Sequence, residues 1–174
     1  MTATDRPITA WGEQQQRTVT WHDPVRSAEA GRALAGLDYM NAVIDGTLPP
    51  PPIAALMGFD IDRVTEGEAW FSVTPDSSVY NPIGMVHGGM VATLLDSALG
   101  CAVHSTLPVG VGYASIEIKV NYLRAVTAAS GRLVAHGWVT KPGRRVAFAE
   151  GDVRDAAGKV LATASSSLAI TGAA

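Results

Sequence analysis

Asn81-Pro82-Ile83-Gly84-Met85-Val86-His87-Gly88-Gly89 runs directly into Met90-Val91-Ala92-Thr93-Leu94-Leu95-Asp96-Ser97-Ala98-Leu99, and this junction decides how the chain is read. Past the glycines, Val91, Leu94, Leu95, Ala98, Leu99 and Ala102 recur at i, i+3, i+4 and i+7. That apolar stripe predicts one long helix from about Gly88 to Ser105. Two glycines at a helix start are poor for helix stability, but they make sense where something must approach the backbone closely. The first N–H groups of a helix have no internal partner and lie at the positive end of its dipole. Such a start can bind an anion, or a carbonyl oxygen that becomes one under attack. The plainer reading of the same residues is a tight turn with glycines for packing.

Asp96 comes two helical turns later and falls opposite the Leu/Val stripe. Gly89, Ala92 and Gly100 share its face, with Thr93 beside them. Small residues around an acid let a ligand or a second chain come close, whereas a solvated helix face more often carries Lys, Glu or Gln. Asp96 therefore reads as a carboxylate that activates water or attacks an electrophile itself, set against a merely solvated Asp. His87 is a candidate general base, or else the group that holds the glycine turn in shape. Cys101 and His104 lie on the same helix without a motif, and Cys101 reads as a small core residue.

Strands flank the helix. Phe59–Arg63 and Glu68–Thr74 surround a turn at Glu66-Gly67. Ile116, Ile118, Val120 and Tyr122 alternate with Ser115, Glu117, Lys119 and Asn121, the period of a half-buried strand. Arg132–Thr140 and Arg145–Arg154 are joined by the hairpin signal Lys141-Pro142-Gly143-Arg144, and Val160–Ile170 forms the last strand. Laying the helix on one antiparallel sheet buries both apolar faces, which makes the chain α+β. Lys141, Arg144 and Arg145 cluster at the hairpin, with Arg124 ending an earlier strand. They are a solvated turn, or a holder for the phosphates of a nucleotide-bearing carrier.

Residues 1–22 are polar and predict a loose arm anchored by Trp11 and Trp21. Asp23-Pro24 is a helix start. Leu34, Leu37, Met40, Val43 and Ile44 then carry helical spacing, so residues 24–45 are expected to form one helix ending near Gly46. Pro49–Pro52 read as a stiff linker. The expected division is an arm and helix over 1–52 and a main domain over 53–174.

Composition bounds the function. The 174 residues are 47% hydrophobic and 17% charged, enough apolar content for a packed core. The net charge of −3 gives no global attraction to nucleic acid or anionic lipid, so neither is expected as a partner. One cysteine excludes an intrachain disulfide. No HExxH or CxxC spacing occurs, so no metal is expected. Gly110-Val111-Gly112 lacks the third glycine and the preceding strand of a dinucleotide loop. With no apolar leader and no uncharged apolar run near the roughly 18–20 residues of a membrane span, a cytoplasmic location is expected.

The motif from Asn81 to Gly89, with Leu94-Leu95-Asp96-Ser97-Ala98, the strand Ser115–Arg124 and the hairpin Lys141–Arg144, resembles the PaaI-type thioesterases of the hotdog superfamily. The resemblance spans roughly residues 53–170. It implies a hotdog fold, an antiparallel sheet wrapped around one long central helix, here with an N-terminal helical extension. It implies homodimers paired edge to edge, commonly assembled into tetramers, with acyl-CoA bound between protomers. By this likeness Gly88 supplies an oxyanion N–H and Asp96 is general base or nucleophile. Asn81 positions the thioester or water, and Ser115 assists near the carboxylate. His87 stands with them, and Asp96 and Ser115 face the Gly88 and Asn81 of the other chain. Gly89, Arg124, Lys141, Gly143, Arg144 and Arg145 become candidates for the CoA moiety, which is substrate rather than cofactor. A hotdog hydratase or dehydratase, and a non-catalytic acyl-CoA-binding module, are the competing expectations.

Overall fold

The computed structural model describes residues 12–172. Three helices precede the sheet: α1 (Pro24–Gly31), α2 (Gly36–Ile44) and α3 (Pro52–Met57). The hairpin β1 (Phe59–Thr65) and β2 (Glu68–Val73) follows, then the long helix α4 (Gly88–His104). Four strands complete the chain: β3 (Gly112–Tyr122), β4 (Leu133–Lys141), β5 (Val146–Arg154) and β6 (Val160–Thr171). All strand pairs are antiparallel, in the order β1-β2-β4-β5-β6-β3. No helix among the described residues is long and apolar enough to cross a membrane.

The stripe on α4 does what its spacing predicts. Val91, Leu94, Leu95, Ala98, Leu99 and Ala102 are all buried, against Phe71, Leu133, Ala135, Val153 and Leu168 of the sheet. The helix comes so close to the sheet centre that a Cβ on Gly137 would stand 2.5 Å from the Ala98 carbonyl group. Here glycine is required by backbone approach rather than by a turn. This is the hotdog arrangement: one sheet curled around one helix.

Two expectations at the N-terminal side are corrected. The single helix over 24–45 is two, broken between Gly31 and Gly36. The break lets α2 dock on the end of α4, where the Gly36 N–H donates to the Leu107 carbonyl at 2.9 Å. A Cβ on Gly36 would lie 1.7 Å from the His104 carbonyl oxygen, so no other residue fits there. The proline linker also ends early, because Pro52 opens α3, the first-turn position where a missing N–H costs nothing. Residues 13–23 form neither helix nor strand and are largely exposed, with the Arg17 guanidinium donating to the Leu56 carbonyl at 2.5 Å. Trp21 is exposed and anchors nothing, and Trp11 lies outside the described residues.

A third correction concerns β3. Strict alternation puts Ser115 on the face opposite Ile118 and Tyr122. The pairing with β6 slips at Ile116, between Ser115 and Glu117. This bulge inserts one residue and shifts the phase. Ser115 therefore shares the helix-facing side with Ile118 and Val120, while Ile116 is 59% exposed.

Candidate active site

The loop before α4 is shaped by Asn81. Its side-chain oxygen accepts from the N–H groups of Ile83 and Met85 at 3.1 and 3.2 Å. Its own N–H donates to the Met85 carbonyl at 2.7 Å, closing the turn at Gly84, whose φ of +83° suits glycine. The Asn81 oxygen is thus committed to the loop, and its amide NH₂ has no partner among the described residues. The N–H of His87 donates to the Val79 carbonyl and that of Val86 to the Val126 carbonyl, so the helix entrance is gripped from two sides.

His87 is the N-cap of α4. Its Nδ1 accepts from the Gly89 N–H at 2.9 Å, so the neutral ring carries its proton on Nε2. That bond ties the His87 side chain to the glycine turn. The Met90 N–H is taken by the His87 carbonyl, while the Gly88 N–H has no acceptor among the described residues. That N–H sits at the positive end of a 17-residue helix. The Gly88 carbonyl accepts from the Tyr122 hydroxyl at 2.9 Å, which fixes the Gly88 peptide. A Cβ on Gly88 would lie 3.0 Å from the Tyr122 ring, tighter than ordinary contact. Tyr122 escaped sequence reasoning because an aromatic on an alternating strand looks like core, and only the fold brings it to the helix start.

Two turns further along α4, the Asp96 carboxylate accepts from the Ser115 hydroxyl at 2.7 Å. Both residues are exposed in the single chain. Gly88 and Asp96 are eight positions apart on one helix, roughly 12 Å along the axis at 1.5 Å per residue. One carbonyl cannot touch both within a protomer.

Asp96 also lines a cavity of about 700 Å³, walled by Tyr39, Met40 and Val43 from α2 and by Phe59, Ile61 and Phe71 from the first hairpin. Cys101, His104 and Tyr113 line it as well. Burial pushes the Cys101 thiol up to about 12, outweighing its hydrogen bond with Tyr113. Burial also lowers His104, favouring its neutral form, and holds the Tyr113 phenol well above the usual tyrosine range. His104 packs between Tyr39 and Tyr113, with both ring-centroid separations 5.4 Å.

The basic candidates do not converge within one chain. Lys141, Arg144 and Arg145 are exposed on the β4–β5 hairpin, and the Arg145 carbonyl accepts from Ile170 at the far end of β6. Arg124 lies at the opposite end, donating to the Val160 carbonyl at 2.5 Å. The β3–β6 register between these ends runs from Tyr113↔Ile170 to Tyr122↔Ala162, a separation of about 30 Å. Gly143 is obligatory in the hairpin, since a Cβ there would run into the Val146 carbonyl. Gly89 packs against the His87 ring. Among the described residues no cluster of three or more His, Cys, Asp or Glu could hold a metal ion.

A sheet wrapped on one long helix defines a hotdog protein, and here the helix starts on glycines and carries an acid two turns on. The family model described as the thioesterase superfamily matches residues 83–162. A Halobacterium salinarum protein provisionally named an esterase is 33% identical over 118 residues, covering 65% of this chain and 76% of that protein. The chain belongs to the thioesterase superfamily. The PaaI protein of E. coli, from the phenylacetic acid degradation operon, shares the fold with a TM-score of 0.68 at 23% identity, over 80% of this chain and 96% of that one. A Streptococcus mutans protein solved with acetyl-CoA bound shares it with a TM-score of 0.60 at 24% identity, over 66% and 89%.

Proposed function

We propose that the chain hydrolyses an acyl-CoA thioester to the free acid and CoA, at a site shared by two copies. The observation that carries this reading is the Asp96 carboxylate, oriented by Ser115 at 2.7 Å on the rim of a mainly apolar cavity. Asp96 removes a proton from water as it adds to the carbonyl carbon, or adds to that carbon itself. The carbonyl oxygen becomes an oxyanion on the partner copy's Gly88 N–H, the C–S bond breaks, and CoA leaves as a thiolate that takes its proton from the protonated Asp96 on the base route or from water on the direct route. An anhydride formed by direct attack is then hydrolysed by water. Asn81, through its free NH₂, orients the thioester or the water.

Two features support the second copy. The spacing of Gly88 and Asp96 requires the oxyanion donor to come from elsewhere. The strand β3 closes the sheet with a free edge 11 residues long, carrying exposed Ile116 and Tyr122 with exposed Leu123 just beyond. A long apolar edge is a template for pairing with another chain. The structure of the Streptococcus mutans protein with acetyl-CoA supports a CoA ester as ligand. The engagement of His87 Nδ1 in the helix cap weighs against a hydratase that would need this ring as its base. The exposed cations of the β4–β5 hairpin are assigned to the CoA phosphates.

The test is release of free thiol from a panel of acyl-CoAs by wild type and by Asp96→Asn. The variant is expected to lose about a thousandfold in kcat while still binding a non-hydrolysable acyl-CoA thioether within a few fold. Equal turnover would remove Asp96 from the chemistry. Arg144→Ala is expected to raise KM for acyl-CoA more than for the matching pantetheine thioester. An equal rise for both would sink the phosphate contact.

A further inference from the structure

The helices ahead of β1 do not dangle from the fold. The buried Met40 belongs to the main core, and Gly36 is locked on the carboxyl end of α4 with no room for a Cβ. The corner between α1 and α2 is equally tight, since a Cβ on Gly31 would lie 2.5 Å from the Tyr39 ring. These helices form a roof over the side of α4 that carries Asp96 and Cys101, and the 700 Å³ cavity lies beneath them.

We infer that this cavity is the acyl pocket and that its roof makes the protein selective for medium- and long-chain uncharged acyl groups. The inference rests on the thioesterase reading for its chemistry and adds the class of substrate. Asp96 at the rim fixes where the reacting carbonyl lies, and the tail bonded to that carbonyl continues inward. The walls it meets are apolar: Leu34, Met40 and Val43 above, Phe59 and Phe71 from the sheet. The polar groups on the lining are few and mostly turned to one another or to the backbone: Ser97 donates to the Thr93 carbonyl. Tyr113 and Cys101 share a hydrogen bond, and His104 is packed between Tyr39 and Tyr113. Arg32, the cation on the lining, is exposed. A cavity of this size falls in the range of about 300–1,000 Å³ that encloses whole small ligands. An acetyl group would leave most of it without contacts, whereas each methylene taken from water should improve kcat/KM by up to about fourfold.

The experiment compares acetyl-, octanoyl- and dodecanoyl-CoA turnover by wild type, Val43→Trp and Val25→Trp. Val43 lines the cavity, while Val25 is an exposed residue of α1 outside it. Wild type is expected to favour dodecanoyl- over acetyl-CoA by at least tenfold in kcat/KM. Val43→Trp is expected to lose at least tenfold on dodecanoyl-CoA and less than twofold on acetyl-CoA, with Val25→Trp unchanged. Retained acetyl-CoA turnover shows that the variant is folded. Parallel losses on all three substrates, or no loss on any, would overturn the pocket assignment. A binding arm separates this inference from the thioesterase reading, using calorimetry with the thioether S-dodecyl-N-acetylcysteamine. If wild type cleaves no acyl-CoA yet binds this probe, and Val43→Trp weakens binding at least tenfold, the pocket stands and the hydrolase reading fails. If wild type neither binds the probe nor shows chain-length preference, the pocket itself is refuted.

Discussion

The Ser115 hydroxyl reaches the Asp96 carboxylate at 2.7 Å only because β3 carries an extra residue at Ile116. Without that bulge, strand alternation would turn Ser115 away from α4. The strand spends one residue of regular pairing to re-aim one hydroxyl at the acid, which is the pattern bulges show next to active sites.

Removing that hydroxyl should therefore disturb the acid rather than the fold. Ser115→Ala is expected to lower kcat about tenfold with KM changed less than threefold, because it deletes one hydrogen bond to a charged group. Thermal melting should shift by no more than about 2 °C, since Ser115 is exposed. Unchanged kcat would show that Asp96 needs no orienting partner.

The role of the Gly88 N–H can be isolated because Gly88 is the first residue of α4. Proline is accepted at this position, and His87 already has the extended backbone that a following proline requires, with φ −63° and ψ 133°. Gly88→Pro removes the N–H, whereas Gly88→Ala keeps it and adds only the Cβ that crowds Tyr122. Steady-state kinetics should show Gly88→Pro down about a hundredfold or more in kcat, and at least tenfold below Gly88→Ala. Equal activity of the two would mean that crowding, not the lost donor, sets the rate.

The buried groups of the cavity predict a stability window. The folded state holds the Cys101 proton up to about 12, while the unfolded thiol loses it near its ordinary value of 9.0. Above about pH 9 the unfolded chain therefore binds fewer protons, and stability falls as pH rises, with Tyr113 adding in the same direction. His104 works on the acid side: its lowered value means that the unfolded ring gains a proton first, so stability falls as pH drops below about 6.5. Urea melts across pH 5–11 should give a maximum between these limits. Cys101→Ser together with Tyr113→Phe should flatten the alkaline limb, and an unaltered limb would rule these groups out as its cause.

Much of this arrangement could be read from the chain before folding. The α4 stripe, the strand segments and the β4–β5 hairpin follow from local periodicity and turn chemistry, and local signals survive into the fold. The pairing of acid with glycine-started helix was legible for the same reason, being written on one helix. What escaped was set by tertiary contact. Leu34 and Leu37 keep helical spacing across the α1–α2 break, and the need for Gly36 arises only from the His104 carbonyl beside it. The bulge that turns Ser115 inward has no glycine to announce it. Tyr122 and Tyr113 read as ordinary strand aromatics until β3 is laid along α4.

The most direct test of a shared site mixes two dead proteins. Asp96→Asn and Gly88→Pro homodimers are each expected to be nearly inactive, and refolding them together should create hybrids with one intact Asp96–Gly88 pairing across the boundary. With random pairing of two-fold dimers, thiol release should return to about a quarter of the wild-type rate. Recovery no greater than the sum of the separate variants, with hybrid formation verified by mass spectrometry of tagged subunits, would contradict a site built from two chains.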